Sequence, residues 1–168
     1  MKTVKCFLFV KNICLYPSLV FEAGVECCLG SLRMYHVTIF AQHKKFGIHA
    51  TGTDVRLKNV TVTHLHYKLP RAAIESSQSR LSLHRCHFRC CKGILMKTSH
   101  ALLHDCHFAT RSYAADMSRD MSRECRVVVV GKTNFFTKKE HVFLVNELSD
   151  VALIGPDCAT QILSLIHI

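Results

Sequence analysis

Apolar and polar residues alternate along this chain in short segments of the same build, and the segments return in phase. Leu81–Phe88 (LSLHRCHF) and Ala101–Phe108 (ALLHDCHF) lie 20 residues apart and share five of eight residues. Val55–Val62 (VRLKNVTV) and Leu32–Ile39 (LRMYHVTI) have the same skeleton: an alternating pair, one polar break, then a second alternating pair. Alternation with a period of two predicts strands with one buried face. Each segment is preceded by another apolar element. Val25, Ile48, Ile74, Ile94 and Leu144 stand nine residues before Met34, Leu57, Leu83, Leu103 and Leu153. The first four are separated by 23, 26 and 20 residues. The 50 residues from Ile94 to Leu144 leave room for two repeats, with Val127–Val130 supplying the missing strand.

A repeat of this length with three short strands cannot bury its apolar face alone; stacking on the next repeat does so. The expected fold is therefore all-β, a parallel β-solenoid of about five to six coils. Its expected inward columns are Leu32, Val55, Leu81, Ala101 and Val151; Met34, Leu57, Leu83, Leu103 and Leu153; Val37, Val60, Cys86 and Cys106; and Ile39, Val62, Phe88 and Phe108. Between the second and third strands the chain turns at His36, Asn59, Arg85 and Asp105. A one-residue turn favours the left-handed conformation that Asn and Asp tolerate.

Across 24–156 this pattern resembles the right-handed parallel β-helix, or pectin-lyase-like, superfamily and its parallel β-helix repeat members. The resemblance implies a right-handed coil, and it speaks to fold far more than to activity. Residues 1–23 fit the repeat poorly and are expected to form an irregular first coil or N-terminal cap. Coils are expected over 24–162, with a polar insertion at 111–126 carrying an MSRDMSR echo at 117–123. The closing LSLIHI at 163–168 resembles the translated end of a sequencing-library adapter, which leaves the solenoid truncated on its C-terminal side.

Composition adds limits rather than identity. A net charge of +10 favours a polyanionic partner, but the basic residues are scattered, which argues against a nucleic-acid-binding arm. The ten cysteines follow no disulfide-framework spacing, and this usage leans towards an intracellular, reducing compartment. The apolar run Cys6–Val10 is five residues long, short for a secretory signal, and no run is long enough to span a membrane.

The superfamily resemblance implies polysaccharide lyases and glycoside hydrolases, whose acids gather on the outward face of stacked strands. Here the expected outward column of the first strand is His49, Glu75, Leu95 and Val145, with one carboxylate. Asp116, Asp120 and Glu124 fall in the insertion. No catalytic residue, metal ligand or cofactor site is assigned on this reading. Cys86, Cys90, His100 and His104 imitate a zinc-finger spacing, yet the 20-residue duplication accounts for them with the cysteines as small inward hydrophobes. Stacking sets His84 over His104 and His87 over His107, and imidazole pairs of this kind are able to share a transition metal. Gly131-Lys132-Thr133 lacks the first glycine of a phosphate loop, and the sequon at Asn59 coincides with a turn position.

The candidate binding surface is a basic, partly aromatic strip along the axis: Arg33, Tyr35, Arg56, Lys58, His84 and His104, together with His87 and His107. Regularly spaced cations on a rigid face suit an extended acidic polysaccharide or a protein. The expected function is a non-catalytic β-helix segment binding such a ligand on its lateral face. The alternative is a piece of a polysaccharide lyase or glycoside hydrolase whose catalytic coils lie elsewhere, and a third reading is a recognition region of a multidomain protein.

Overall fold

The computed structural model describes residues 6–11, 14–15, 23–41, 46–64, 72–118, 124–137, 142–154 and 165–167. Among them there is no helix, and none that could cross a membrane. Their strands pair in parallel throughout, forming a β-solenoid of about five turns whose core runs down its axis.

Three stacks of strands wind round that core. The first contains the early part of Ala23–Tyr35 and of Phe46–Lys58, then Ala72–Ser77, Lys92–Lys97, Ala115–Asp116, Phe143–Val145 and Leu165–His167. The second contains Cys6–Lys11, the later part of the two long strands, then Arg80–His84, His100–His104, Arg126–Val130 and Asp150–Ile154. The third runs from Cys14–Leu15 through Thr38–Phe40, Thr61–Thr63, His87–Cys90 and His107–Thr110 to Asn134–Thr137.

The inward columns are in the expected register. Leu32, Val55, Leu81, Ala101, Val127 and Val151 are successive partners, as are Met34, Leu57, Leu83, Leu103, Val129 and Leu153. All are buried except the terminal pair: Val151 is half-buried, and Leu153 is 39% exposed because it lies on the last described strand of its stack. Phe88 and Phe108 stack at 4.8 Å, and Phe135 continues the ladder at 5.3 Å.

The turn residues His36, Asn59, Arg85 and Asp105 all have φ between 52° and 54°. Gly131 extends the column at 69°. The corner between the first and second stacks has a matching series in Gly52, Gln78 and Thr98. Just after it, Thr53, Ser79, Ser99 and Ser149 point inward, and a hydroxyl ladder satisfies the backbone. Ser79 Oγ accepts from the Thr53 N–H at 3.1 Å, and Ser99 Oγ from the Ser79 N–H at 3.2 Å. At the second corner Cys86 and Cys106 take the same position, their thiols donating to the carbonyls of His84 and His104 at 3.5 and 3.4 Å. Cys27, Cys28, Cys86, Cys90, Cys91, Cys106 and Cys125 are free thiols. Burial holds the Cys86 and Cys90 thiols well above the usual value, so both stay protonated.

Two expectations for the first stack need correction. The nine-residue offset holds for Val25, Ile48, Ile74 and Ile94, but their inward successors are Ala115 and Phe143, not Leu144. In consequence Val145 is inward and fully buried, while Leu144 faces out. Second, the start of the polar stretch 111–126 is woven into the solenoid, because Ala115–Asp116 pairs with Ile94–Leu95 and Phe143–Leu144. Residues 119–123, which include Asp120, lie outside the described residues.

Strand entry explains the shift. A Cβ on Gly47 would collide with the core side chain of Val62, so Gly47 and Ile48 both face inward. Ala73 and Ile74 repeat this, both in the main core. The preceding residues are thereby turned outward, and Ala23, Phe46, Ala72 and Leu95 form a second, small buried cluster.

Candidate functional site

Charged and titratable side chains line the outward faces of the first and second stacks. On the first stack the column reads Glu26, His49, Glu75, Leu95, Asp116 and Leu144. It therefore holds three carboxylates, not the one expected from sequence. Each has a cationic or titratable partner. His49 Nδ1 lies 3.5 Å from Glu26 Oε1, and its Nε2 lies 3.8 Å from Glu75 Oε2. Lys97 Nζ is 3.5 Å from Glu75 Oε1, and Lys92 Nζ is 2.8 Å from Asp116 Oδ2. Asp116 is 2% exposed and also accepts from the Ser118 hydroxyl at 2.7 Å. Burial alone would raise its carboxyl, but the bonds from Lys92 and Ser118 outweigh that and hold it below the ordinary aspartate value.

The second stack is open. One outward column is Phe9, Arg33, Arg56, Ser82, Leu102, Val128 and Ala152; its neighbour is Lys11, Tyr35, Lys58, His84, His104, Val130 and Ile154. The predicted strip therefore exists, with Arg33, Tyr35, Arg56, Lys58, His84 and His104 on one surface. Its ends differ: cations and Tyr35, which packs on Phe9 at 5.6 Å, occupy one end, and exposed Leu102 and Ile154 the other. Arg56 is held by Asp54 at 3.0 Å. Lys58 is exposed and has no ion-pair partner among the described residues.

Sequence reasoning missed a third outward column on this stack: Asp54, Arg80, His100, Arg126 and Asp150. Its basic side chains follow directly on the inward Ser79, Ser99 and Cys125, which carry no alternating apolar signal. Arg80 is exposed and, like Lys58, has no ion-pair partner among the described residues, whereas Arg126 is 3.8 Å from Asp150.

His87 and His107 lie round the corner on the third stack, 5.6 Å apart, and line a depression of about 430 Å³ with Thr63 and Arg89. The eight predicted residues therefore divide between two faces, six and two. His107 is held below the ordinary histidine value, first by burial and then by His87.

The zinc-finger spacing gathers nothing: Cys86 and Cys90 point into the core, and His100 and His104 point out. A different group does converge. Ligand atoms of His84, His104 and Asp105 lie within 4.8 Å of one another at the turn. The His84 imidazole is held below its ordinary value, first by burial, then by the charges of His104, Arg85 and Lys58. Asp105 is lowered as well, chiefly by a 2.9 Å hydrogen bond from the Lys132 N–H.

No protein-family model matches the chain, and no curated protein or solved structure matches it either.

Proposed function

We propose that this solenoid binds an extended acidic polysaccharide along the open face of its second stack, without catalysing its breakdown. One observation carries the reading: Lys58 and Arg80 are exposed cations without acidic partners among the described residues, set in a rigid surface where Arg33, Arg56, His84, His100 and His104 recur at the strand spacing of ~4.8 Å. The fixed lysine and arginine charges meet a repeating polyanion with little ordering cost on the protein side, and the imidazoles add polar contacts beside them. The stacked-coil pattern further supports a relation to the right-handed β-helix, pectin-lyase-like superfamily.

The enzyme reading has one observation in its favour, the return of Asp116 to the column of Glu75. The lysines bound to both carboxylates, and the burial of Asp116, favour a structural role for that column instead. A glycan array carrying acidic and neutral polysaccharides tests the proposal. Acidic glycans should be retained, and retention should weaken with added salt. Lys58→Ala with Arg80→Ala should abolish most of it. Retention of neutral glycans alone, or unchanged binding by the double variant, contradicts the proposal. Depolymerisation of a bound glycan, lost in Glu75→Gln, would establish the enzyme reading instead.

A further inference from the structure

We propose that His84, His104 and Asp105 form a binding site for one divalent transition-metal ion of the zinc, nickel or copper class. The repeat itself assembles it. His84 and His104 are register partners on adjacent strands, so their rings stack with centroids 4.7 Å apart, and Asp105 follows His104 at the turn. Two imidazoles and one carboxylate form a donor set that borderline metals favour over magnesium or calcium. On a shared ion such donors stand about 3 to 4 Å apart, at metal–ligand distances of ~2.0–2.2 Å. The present spread, within 4.8 Å, closes to that by small rotations of two partly exposed rings.

Three further features prepare the group. His104 Nδ1 is shielded from solvent but makes no hydrogen bond among the described residues, although Asp105 Oδ2 lies 3.2 Å away. That contact leaves the nitrogen without an aligned hydrogen bond, and an ion between the ring and the carboxylate would satisfy both. The Asp105 carboxylate is anchored through its other oxygen by the Lys132 N–H, the kind of outer support that orients metal ligands. Gly131, at φ 69°, makes the room: a Cβ there would collide with Asp105 Oδ1. The competing cation is Arg85, whose Nε is 3.9 Å from Asp105 Oδ2; it is 62% exposed and free to swing into water. The His87–His107 pair serves as an internal control, because its rings also stack but no carboxylate among the described residues completes a three-donor group with them.

Calorimetric titration of the whole chain with zinc chloride tests the site. The expected result is saturation at one ion per chain with a micromolar Kd. His84→Ala and His104→Ala should each weaken binding by about tenfold or more. Asp105→Asn, which keeps the turn and the Lys132 bond, should do likewise; Arg85→Ala should tighten binding, and His87→Ala with His107→Ala should leave it unchanged. In the unmodified protein, copper(II) should broaden the ring resonances of His84 and His104 before those of His87 and His107, a readout independent of any variant's folding. Failure to saturate, equal broadening of both pairs, or undiminished binding in His84→Ala overturns the proposal. So does a cobalt(II) spectrum with a thiolate charge-transfer band, which would place the ion on an accessible cysteine such as Cys28 or Cys91.

Discussion

The first and second stacks are built from neighbouring segments of the same coils, and two strands run unbroken through both, yet their outward faces behave as opposites. Glu75 and Asp116 on the first stack are buried and paired; Lys58 and Arg80 on the second are exposed and have no ion-pair partner among the described residues. Register alone decides which residues share a column. Burial of the outward face decides whether their charge is used up internally or left for a ligand. A buried pair is worth little net but is costly to break, whereas an exposed charge is cheap to remove and acts at long range.

That contrast is broken most forcefully by removing one partner on each face. Asp116→Ala strands Lys92 and should cost about 3 kcal/mol in urea unfolding, whereas Lys58→Ala should change stability by less than about 0.5 kcal/mol. Asp116→Leu with Lys92→Met should recover most of the loss, since apolar groups of similar size replace such pairs at little cost. Comparable losses for Asp116→Ala and Lys58→Ala would show that the two faces do not differ in this way.

Acid sharpens the same comparison. The folded-state value of Asp116 lies below its unfolded value, so the stability it contributes is complete above the unfolded value and disappears as pH falls through the folded one. Unfolding midpoints should therefore drop on the acid side of the ordinary aspartate range, with a shallower slope in Asp116→Asn. Equal slopes in the two proteins would remove Asp116 from that account.

A third test concerns the corner that separates the two faces. Thr98 holds φ at 50°, a conformation unfavourable for a β-branched residue. Thr98→Gly should stabilise the protein by about 1 kcal/mol, measured by the same unfolding experiment. The smallest expected effect is on the open face. By NMR titration His84 should lose its proton at lower pH than an ordinary histidine, and His104→Gln should move it part of the way back, since His104 is the second cause of its shift after burial.

Much of this was legible in the sequence, and the rest was hidden for identifiable reasons. The columns through Leu57, Leu83 and Leu103 followed from alternation and the 20-residue duplication, because period-2 patterning directly encodes which face is buried. The basic strip followed from the same register. The first stack was misread beyond Ile94 because Ala115–Asp116 is a strand of two residues, too short to alternate, lying beside a polar run. The doubled inward positions at Gly47-Ile48 and Ala73-Ile74 escaped notice because glycine and alanine carry little hydrophobic signal. Ser79 and Ser99 give no hydrophobic signal, since their inward orientation is stabilised by hydrogen bonds between rungs rather than by apolar transfer. Asp105 read as a turn former, which it is; only stacking brings its carboxylate to His84.

In the proposed function the open face, and not the closed one, meets the ligand. The direct measurement is the affinity for an acidic polysaccharide of two charge-matched variants: Lys58→Ala with Arg80→Ala on the open face, and Lys92→Met with Lys97→Met on the closed one. Both remove two positive charges. The account predicts loss of most binding in the first and near-native affinity in whatever fraction of the second is folded. Equal weakening of both would mean that net charge alone drives association, and retention by the first with loss by the second would place the ligand on the other face.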